Sequence, residues 1–220
     1  MGGDFDAIVG RVLAGVPRQS RAMVAIDGVG GSGKSIFAER LARRGGGRPV
    51  IVLHVDDFFN PSAIRRARGR HSPEGFWLDA FNYEALISWA LTPLAAAGGG
   101  LYRPASYDHA RDQIVEADPL PAPPDALVLV EGVFLHRDEL RRFWDFSVFL
   151  DVPFLEASRR MAQRDGLEAD PESGLMRRYV GAQRAYFRDA APWERASLVV
   201  DNTDVDTPRI IDAAAVRHTR

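Results

Sequence analysis

"AMVAIDGVGGSGKSIFAERLARR" (residues 22–44) decides how this chain folds. "AMVAID" is a short apolar run that halts at glycines, the pattern of a strand buried on both faces. "KSIFAERLARR" follows with Ile36, Phe37, Leu41 and Ala42 spaced for one helical face, and Gly45, Gly46 and Gly47 end that helix. A doubly buried strand feeding a helix through a tight loop opens a parallel sheet with helices laid across it.

The rest of the chain repeats the unit. "PVIVLHVDD", "DALVLVEG", "DFSVFLDV" and "SLVVDN" read as further buried strands, which makes five in a mostly parallel sheet covered on both sides. Helical stretches lie between them: "DAFNYEALISWALTPLAAA", "RDELRRFW", "FLEASRRMAQRD" and "ESGLMRRYVGAQRAYFRDA". The segment 98–124 differs, with five prolines and two tyrosines, and is expected to be irregular or short-stranded outside the main sheet. A length of 220 residues suits one α/β domain, 1–220, with an appended lobe or lid.

The loop of the opening stretch satisfies G-x-x-x-x-G-K-[ST] from Gly28 to Ser35, between strand and helix as that motif requires. Glycines let backbone N–H groups converge on a phosphate, and the helix N-terminus adds partial positive charge. Gly28, Gly30, Gly31, Ser32 and Gly33 would form the cradle. Lys34 would reach the β- and γ-phosphates of ATP, and the Ser35 hydroxyl would ligate Mg²⁺. Lys34 is also the chain's one lysine among 28 basic residues. A GC-rich genome explains the arginine bias; the surviving lysine sits where a compact ammonium fits and a planar guanidinium does not.

Ligands of an open parallel sheet gather beyond the carboxyl ends of its strands. Asp56 and Asp57 end one strand and Glu131 another. Such carboxylates can hold Mg²⁺ through water or take a proton from an attacking hydroxyl. The bland alternative, capping of the next turn, weighs as much as the functional reading for Asp57 and less for Asp56 and Glu131. Asp27 can brace the loop.

"VAIDGVGGSGKS", "HVDDFFNP", "SPEGFWLDAFN", "YRPASYDH", "VLVEGVFL", "RRMAQRD" and "VVDNTD" resemble, in order and spacing, the uridine kinase group of P-loop kinases, which includes phosphoribulokinase and bacterial pantothenate kinase. The likeness runs from about Ala22 to Pro208. It implies the three-layer sandwich of P-loop NTPases with a small acceptor-binding and lid region, segment 98–124 on the acceptor side and residues 159–190 as the helical lid. Asp56 matches the base that faces the acceptor hydroxyl, Asp79 the aspartate on the sugar hydroxyls, Tyr107 an aromatic near the acceptor base, and Glu131 the magnesium-side carboxylate. Arg160 and Arg164 fall where relatives carry lid arginines that meet phosphates; Arg159 reads better as a solvated face. Asn202 and Thr203 fall on the adenine side, and His109 near the nucleobase pocket. The lid sequence "DGLEADPESGLMRRY" departs from the arginine-rich stretch of uridine kinases.

The expected activity is ATP- and Mg²⁺-dependent phosphorylation of a hydroxyl on a small metabolite, a nucleoside such as uridine or cytidine first. Other alcohols (pantothenate, a sugar or sugar phosphate) and a regulatory ATPase without a small acceptor are the alternatives. Absence of cysteine excludes disulfides and thiolate sites. Net charge near −2 argues against nucleic acid, so the arginines of "IRRARGRH" are read as a solvated helix or loop. No apolar run approaches a membrane span, and residues 1–21 lack the apolar core of a secretory signal, so a cytoplasmic protein is expected. His54 reads as structural by alternation; His71, His136 and His218 have no metal-ligand spacing, and no zinc is assigned. The resemblance also suggests a homo-oligomer.

Overall fold

A computed structural model describes residues 3–217. In chain order they form α1 (Gly3–Ala14), β1 (Ala22–Gly28), α2 (Lys34–Ala42), β2 (Val50–His54), α3 (Ser62–Arg65) and α4 (Pro73–Asp79). A helix then runs from α5 (Tyr83–Ala85) through a π-wound stretch, Leu86–Leu91, into α6 (Thr92–Leu94). Four two-residue strands follow: β3 (Leu101–Tyr102), β4 (Tyr107–Asp108), β5 (Gln113–Ile114) and β6 (Leu120–Pro121). The chain ends with β7 (Leu127–Gly132), β8 (Phe146–Asp151), α7 (Phe154–Asp165), α8 (Gly174–Ala190), α9 (Pro192–Arg195), β9 (Leu198–Asp201) and β10 (Arg209–Ile211).

The central sheet has the order β10-β9-β8-β1-β7-β2 and is parallel except for β10. Side chains alternate across β1, so its two faces feed two cores. Val24 and Ile26 pack with Phe5, Ile8 and Val12 of α1 and with Phe37 and Leu41 of α2. Met23 and Ala25 face the other way, toward Phe76, Leu86, Phe134, Phe149, Tyr186 and Trp193. The result is three layers, helix on sheet on helix. The chain leaves β1 for β2 on one side and later crosses to β8 on the other, so a crevice opens at the carboxyl end of β1.

The sheet has six strands rather than the expected five. The sixth, β10, pairs antiparallel through Arg209, Ile210 and Ile211, and three residues are too few to announce a strand by pattern. β2 is the edge strand and largely half-buried, not covered on both faces. "RDELRRFW" forms turns and a single 3₁₀ turn, Arg141–Phe143, because it offers few apolar residues to hold a longer helix down. The stretch expected as one helix from Asp79 is broken: α4 ends there, and Asn82 caps the next helix by accepting from the Ala85 N–H at 2.9 Å. Ile36 faces out at 52% exposure while Ala38 takes its place in the core. Helix α1 was passed over in the sequence, although Phe5, Ile8, Val9 and Val12 recur at the spacing of one helical face and are all buried. His218 lies outside the described residues.

Candidate active site

β1 stops at Gly28 and α2 starts at Lys34, so the loop between them wraps the crevice. Gly31 and Gly33 have φ of 79° and 85°, a region that disfavours side chains. A Cβ on Gly31 would stand 2.3 Å from the Ala157 carbonyl oxygen, and one on Gly33 2.9 Å from Asn202 Nδ2. The cradle is therefore glycine-only on steric grounds. It is also braced. Asp27 Oδ1 accepts from the Gly28 N–H at 2.7 Å, and Asn202 Nδ2 donates to the Ser32 carbonyl at 2.7 Å. Lys34 Nζ donates to the Val29 carbonyl at 2.9 Å. The buried Ser32 hydroxyl has no partner among the described residues, a polar atom left for a ligand. Burial pulls the Lys34 ammonium below its usual range against the upward pull of Glu131, Asp56 and Asp27.

Behind the loop, Asp27 anchors a buried network. Its Oδ2 accepts from the Tyr186 hydroxyl and lies 2.8 Å from His136 Nδ1, and the Tyr186 oxygen accepts from the His136 N–H at 2.9 Å. All three residues are at most 1% exposed. Asp27 thus braces the loop and ties it to α8.

A cleft of about 560 Å³ opens from the loop, lined by Gly30, Gly31, Gly33, Lys34 and Ser35 at one end. Asp56 and Glu131 face it from the ends of β2 and β7. Glu131 Oε1 accepts from Ser35 Oγ at 2.9 Å and lies 2.6 Å from His54 Nδ1. Burial works to raise the Glu131 carboxyl, but His54, Lys34 and Ser35 outweigh it and hold it below the usual range. The bond to Glu131 raises His54 in turn, against its partial burial. Asp56 reaches solvent in the open cleft, yet the protein crowded around it pushes its carboxyl up, Lys34 opposing and Glu131 adding.

The Ser35–Glu131 pair suits magnesium: both supply hard oxygens, and Mg²⁺ takes only one or two protein ligands beside phosphate and water. Among the described residues no group of three or more His, Asp or Glu could hold a metal unaided. His54, read from sequence as structural, belongs to this cluster, where it fixes the Glu131 carboxylate.

Arg160 and Arg164 of α7 both line the cleft. Arg160 pairs with Glu156 at 3.0 Å and donates to the carbonyls of Gly31, Asn202 and Thr203, stitching α7 to the loop. Arg164 pairs with Asp165 at 2.7 Å and feels the charge of Asp56. Arg159 pairs with Glu156 on the outer face. Asn202 is buried and its role here is to brace the loop; Thr203 lies beside it under Arg160.

Asp79, Tyr107 and His109 do not line this cleft. Asp79 is paired with Arg68 at 2.8 Å. Tyr107 is buried, donating to Asp112 at 2.6 Å and accepting from Arg65 at 3.0 Å. His109 stacks edgewise on Tyr107 and lies 3.7 Å from Asp57. The far wall is built instead by Phe59, Arg65, Phe76, Arg178, Tyr179 and Gln183. Sequence reasoning passed over these residues. Tyr179 and Gln183, four apart on α8, were the available signal for a shared face.

The phosphoribulokinase/uridine kinase family model matches residues 23–168. Nicotinamide riboside kinase 1 of Rattus norvegicus is 28% identical over 155 residues, spanning 68% of this chain and 69% of the relative. A structure described as a possible uridine kinase from Bacillus stearothermophilus superposes with a TM-score of 0.69 at 27% identity, covering 89% of this chain and 96% of the other.

Proposed function

Because the chain belongs to the phosphoribulokinase/uridine kinase family, we propose that it transfers the γ-phosphoryl group of ATP to a hydroxyl of a small metabolite. One observation carries this reading. A glycine-only cradle with its lysine, an oxygen pair suited to magnesium and a carboxylate with an elevated pKa face the same cleft.

The loop N–H groups and Lys34 bind and orient the phosphate tail, with Asn202 and Asp27 holding the loop in shape. Bound magnesium, held by Ser35 and Glu131, would neutralise charge on the β- and γ-phosphate oxygens. Asp56 takes the proton of the acceptor hydroxyl as its oxygen bonds to the γ-phosphorus. The bond from that phosphorus to the bridging oxygen breaks and ADP leaves. The raised carboxyl of Asp56 is the better base for it. Arg164, facing Asp56 across the cleft, offers charge to the moving phosphoryl group.

The names of the relatives put nucleosides first among acceptors: uridine and nicotinamide riboside. For Asp79 to serve a ribose, its pair with Arg68 would have to open. ADP release measured across a panel of alcohols tests the reading. The Asp56→Asn variant is expected to lose roughly 10²- to 10⁴-fold of acceptor-dependent release, and full residual activity removes Asp56 from its role. Acceptor-independent hydrolysis that no alcohol stimulates would instead favour a regulatory ATPase.

A further inference from the structure

Four arginines line the cleft, and three of them have a carboxylate partner: Arg65 with Asp112 at 3.4 Å, Arg160 with Glu156 at 3.0 Å and Arg164 with Asp165 at 2.7 Å. Arg178 has none among the described residues. It is 4% exposed. Its Nη2 donates to the Arg65 carbonyl at 3.0 Å, its Nε has no acceptor, and its guanidinium stands 5.3 Å from the centre of the Phe76 ring. Burial pulls its pKa down, Tyr179 opposing and the two cations Arg65 and Arg66 adding, and no carboxylate is among the groups that act on it.

A buried cation with no carboxylate partner destabilises a fold unless something anionic arrives. A methionine here would fill the space against Phe76 at no such cost. Gln183 supplies the complement on the same wall, an acceptor that wants a donor. It is 3% exposed and its Oε1 is unpartnered. Native proteins leave few such groups unsatisfied, and those few call for an explanation.

The donor phosphates do not supply it. They have the loop, Lys34 and Arg160, and it is Arg160 that touches the Gly31 carbonyl. Arg178 has no bond to the loop and is held against α3 through the Arg65 carbonyl. We infer that Arg178 seats an anionic group, a carboxylate or a phosphate monoester, carried by the hydroxyl-bearing acceptor, while Gln183 Oε1 on the same wall accepts from one of its hydroxyls. This rests on the kinase reading and narrows its acceptor class to alcohols that bear an acid, setting aside the nucleosides that the relatives' names put first.

The test loads the full-length protein with a non-hydrolysable ATP analogue and Mg²⁺, so that the phosphate loop is filled. The loaded protein is then titrated with inorganic phosphate and, separately, with acetate, following the melting temperature. One of the two anions is expected to raise it for wild type and not for Arg178→Met, with Arg178→Lys in between; which anion acts separates a phosphate from a carboxylate. In ADP-release assays the paired alcohols glycerol and glycerate, and ribose and ribose 5-phosphate, are compared. The acidic member of a pair should stimulate at least about 10-fold more than the neutral one, the size of one charge-assisted contact, and R178M should erase that preference with KM for ATP unchanged. Unloaded R178M should melt no lower than wild type, as expected if the arginine serves a ligand and not the fold. The inference is overturned if neither anion stabilises the loaded wild type, if R178M responds as wild type does, if KM for ATP rises instead, or if unloaded R178M melts well below wild type. Failure of the ATP analogue itself to stabilise the protein would strike the kinase reading first, and so is distinguishable.

Discussion

Lys34 and Asp56 show how much one side chain can hold. Lys34 is buried against the Val29 carbonyl with Asp56, Glu131 and Asp27 around it, space for an ammonium but not for a five-donor planar fork. Lys34→Arg keeps the charge and misplaces it, and kcat is expected to fall on the order of 100-fold in the ADP-release assay. Asp56 sets the pH response. Its folded pKa lies above the ordinary value of about 3.9, and the base is competent only when ionised. Activity should therefore rise with pH through that elevated pKa and level off above it, giving an acid limb displaced upward from an ordinary aspartate. An acid limb at or below the ordinary value would contradict the assignment. Both residues were legible in sequence because motif and strand end fix them. Arg178 and Gln183 were not, since nothing in a helical sequence tells a buried cleft wall from a solvated face.

At the scale of elements, legibility followed burial. β1, β7, β8 and β9 are apolar runs closed by turns, and the sheet interior leaves them no other reading. The edges were less legible: β10, three residues long, was passed over, and β2 was read as a strand but not as a half-open one. The coupling between elements was invisible too, because Asp27, His136 and Tyr186 are separated by 109 and 159 residues along the chain. That network makes a testable claim. Tyr186→Phe removes a donor from a fully buried carboxylate, which should cost about 1–3 kcal/mol in denaturant unfolding. It should also weaken ATP binding, since the same carboxylate holds the Gly28 N–H. Loss of stability with ATP affinity intact would show that α8 is not coupled to the loop. Away from the loop, Asp112 fastens segment 98–124 to α3, accepting from the Ser62 N–H at 2.8 Å, the Ser62 hydroxyl and Tyr107. These bonds hold its carboxyl well below the usual range. Its contribution is present above the unfolded value and is lost as pH falls through the depressed one. Protease sensitivity of segment 98–124 should therefore rise in strong acid, and in Asp112→Ala already at neutral pH.

The whole molecule divides into a rigid sheet and a lightly held flap. The sheet sits between two large cores, whereas the junction of α7 with the start of α8 rests on Met161, Met176 and Val180 with a few partly buried neighbours. Little apolar burial means opening at low free energy. The far half of α8 cannot follow, because Tyr186 is tied to Asp27 and Phe187 packs on Trp193. Any opening is therefore expected within residues 154–177, which carry Arg160 and Arg164 on one side of the cleft. Hydrogen exchange at neutral pH should show these amides exchanging well before those of β1, β7 and β8. Adding an ATP analogue with Mg²⁺ at about 100 times its Kd stabilises the bound state by about 2.7 kcal/mol, and part of this should appear as slower exchange in 154–165, where Arg160 reaches the loop. In Arg160→Ala that local gain should vanish while the gain at residues 28–35 persists. Uniform protection of the flap before ligand, or a gain there that survives the loss of Arg160, would mean that the cleft is closed by the fold itself and not by its substrates.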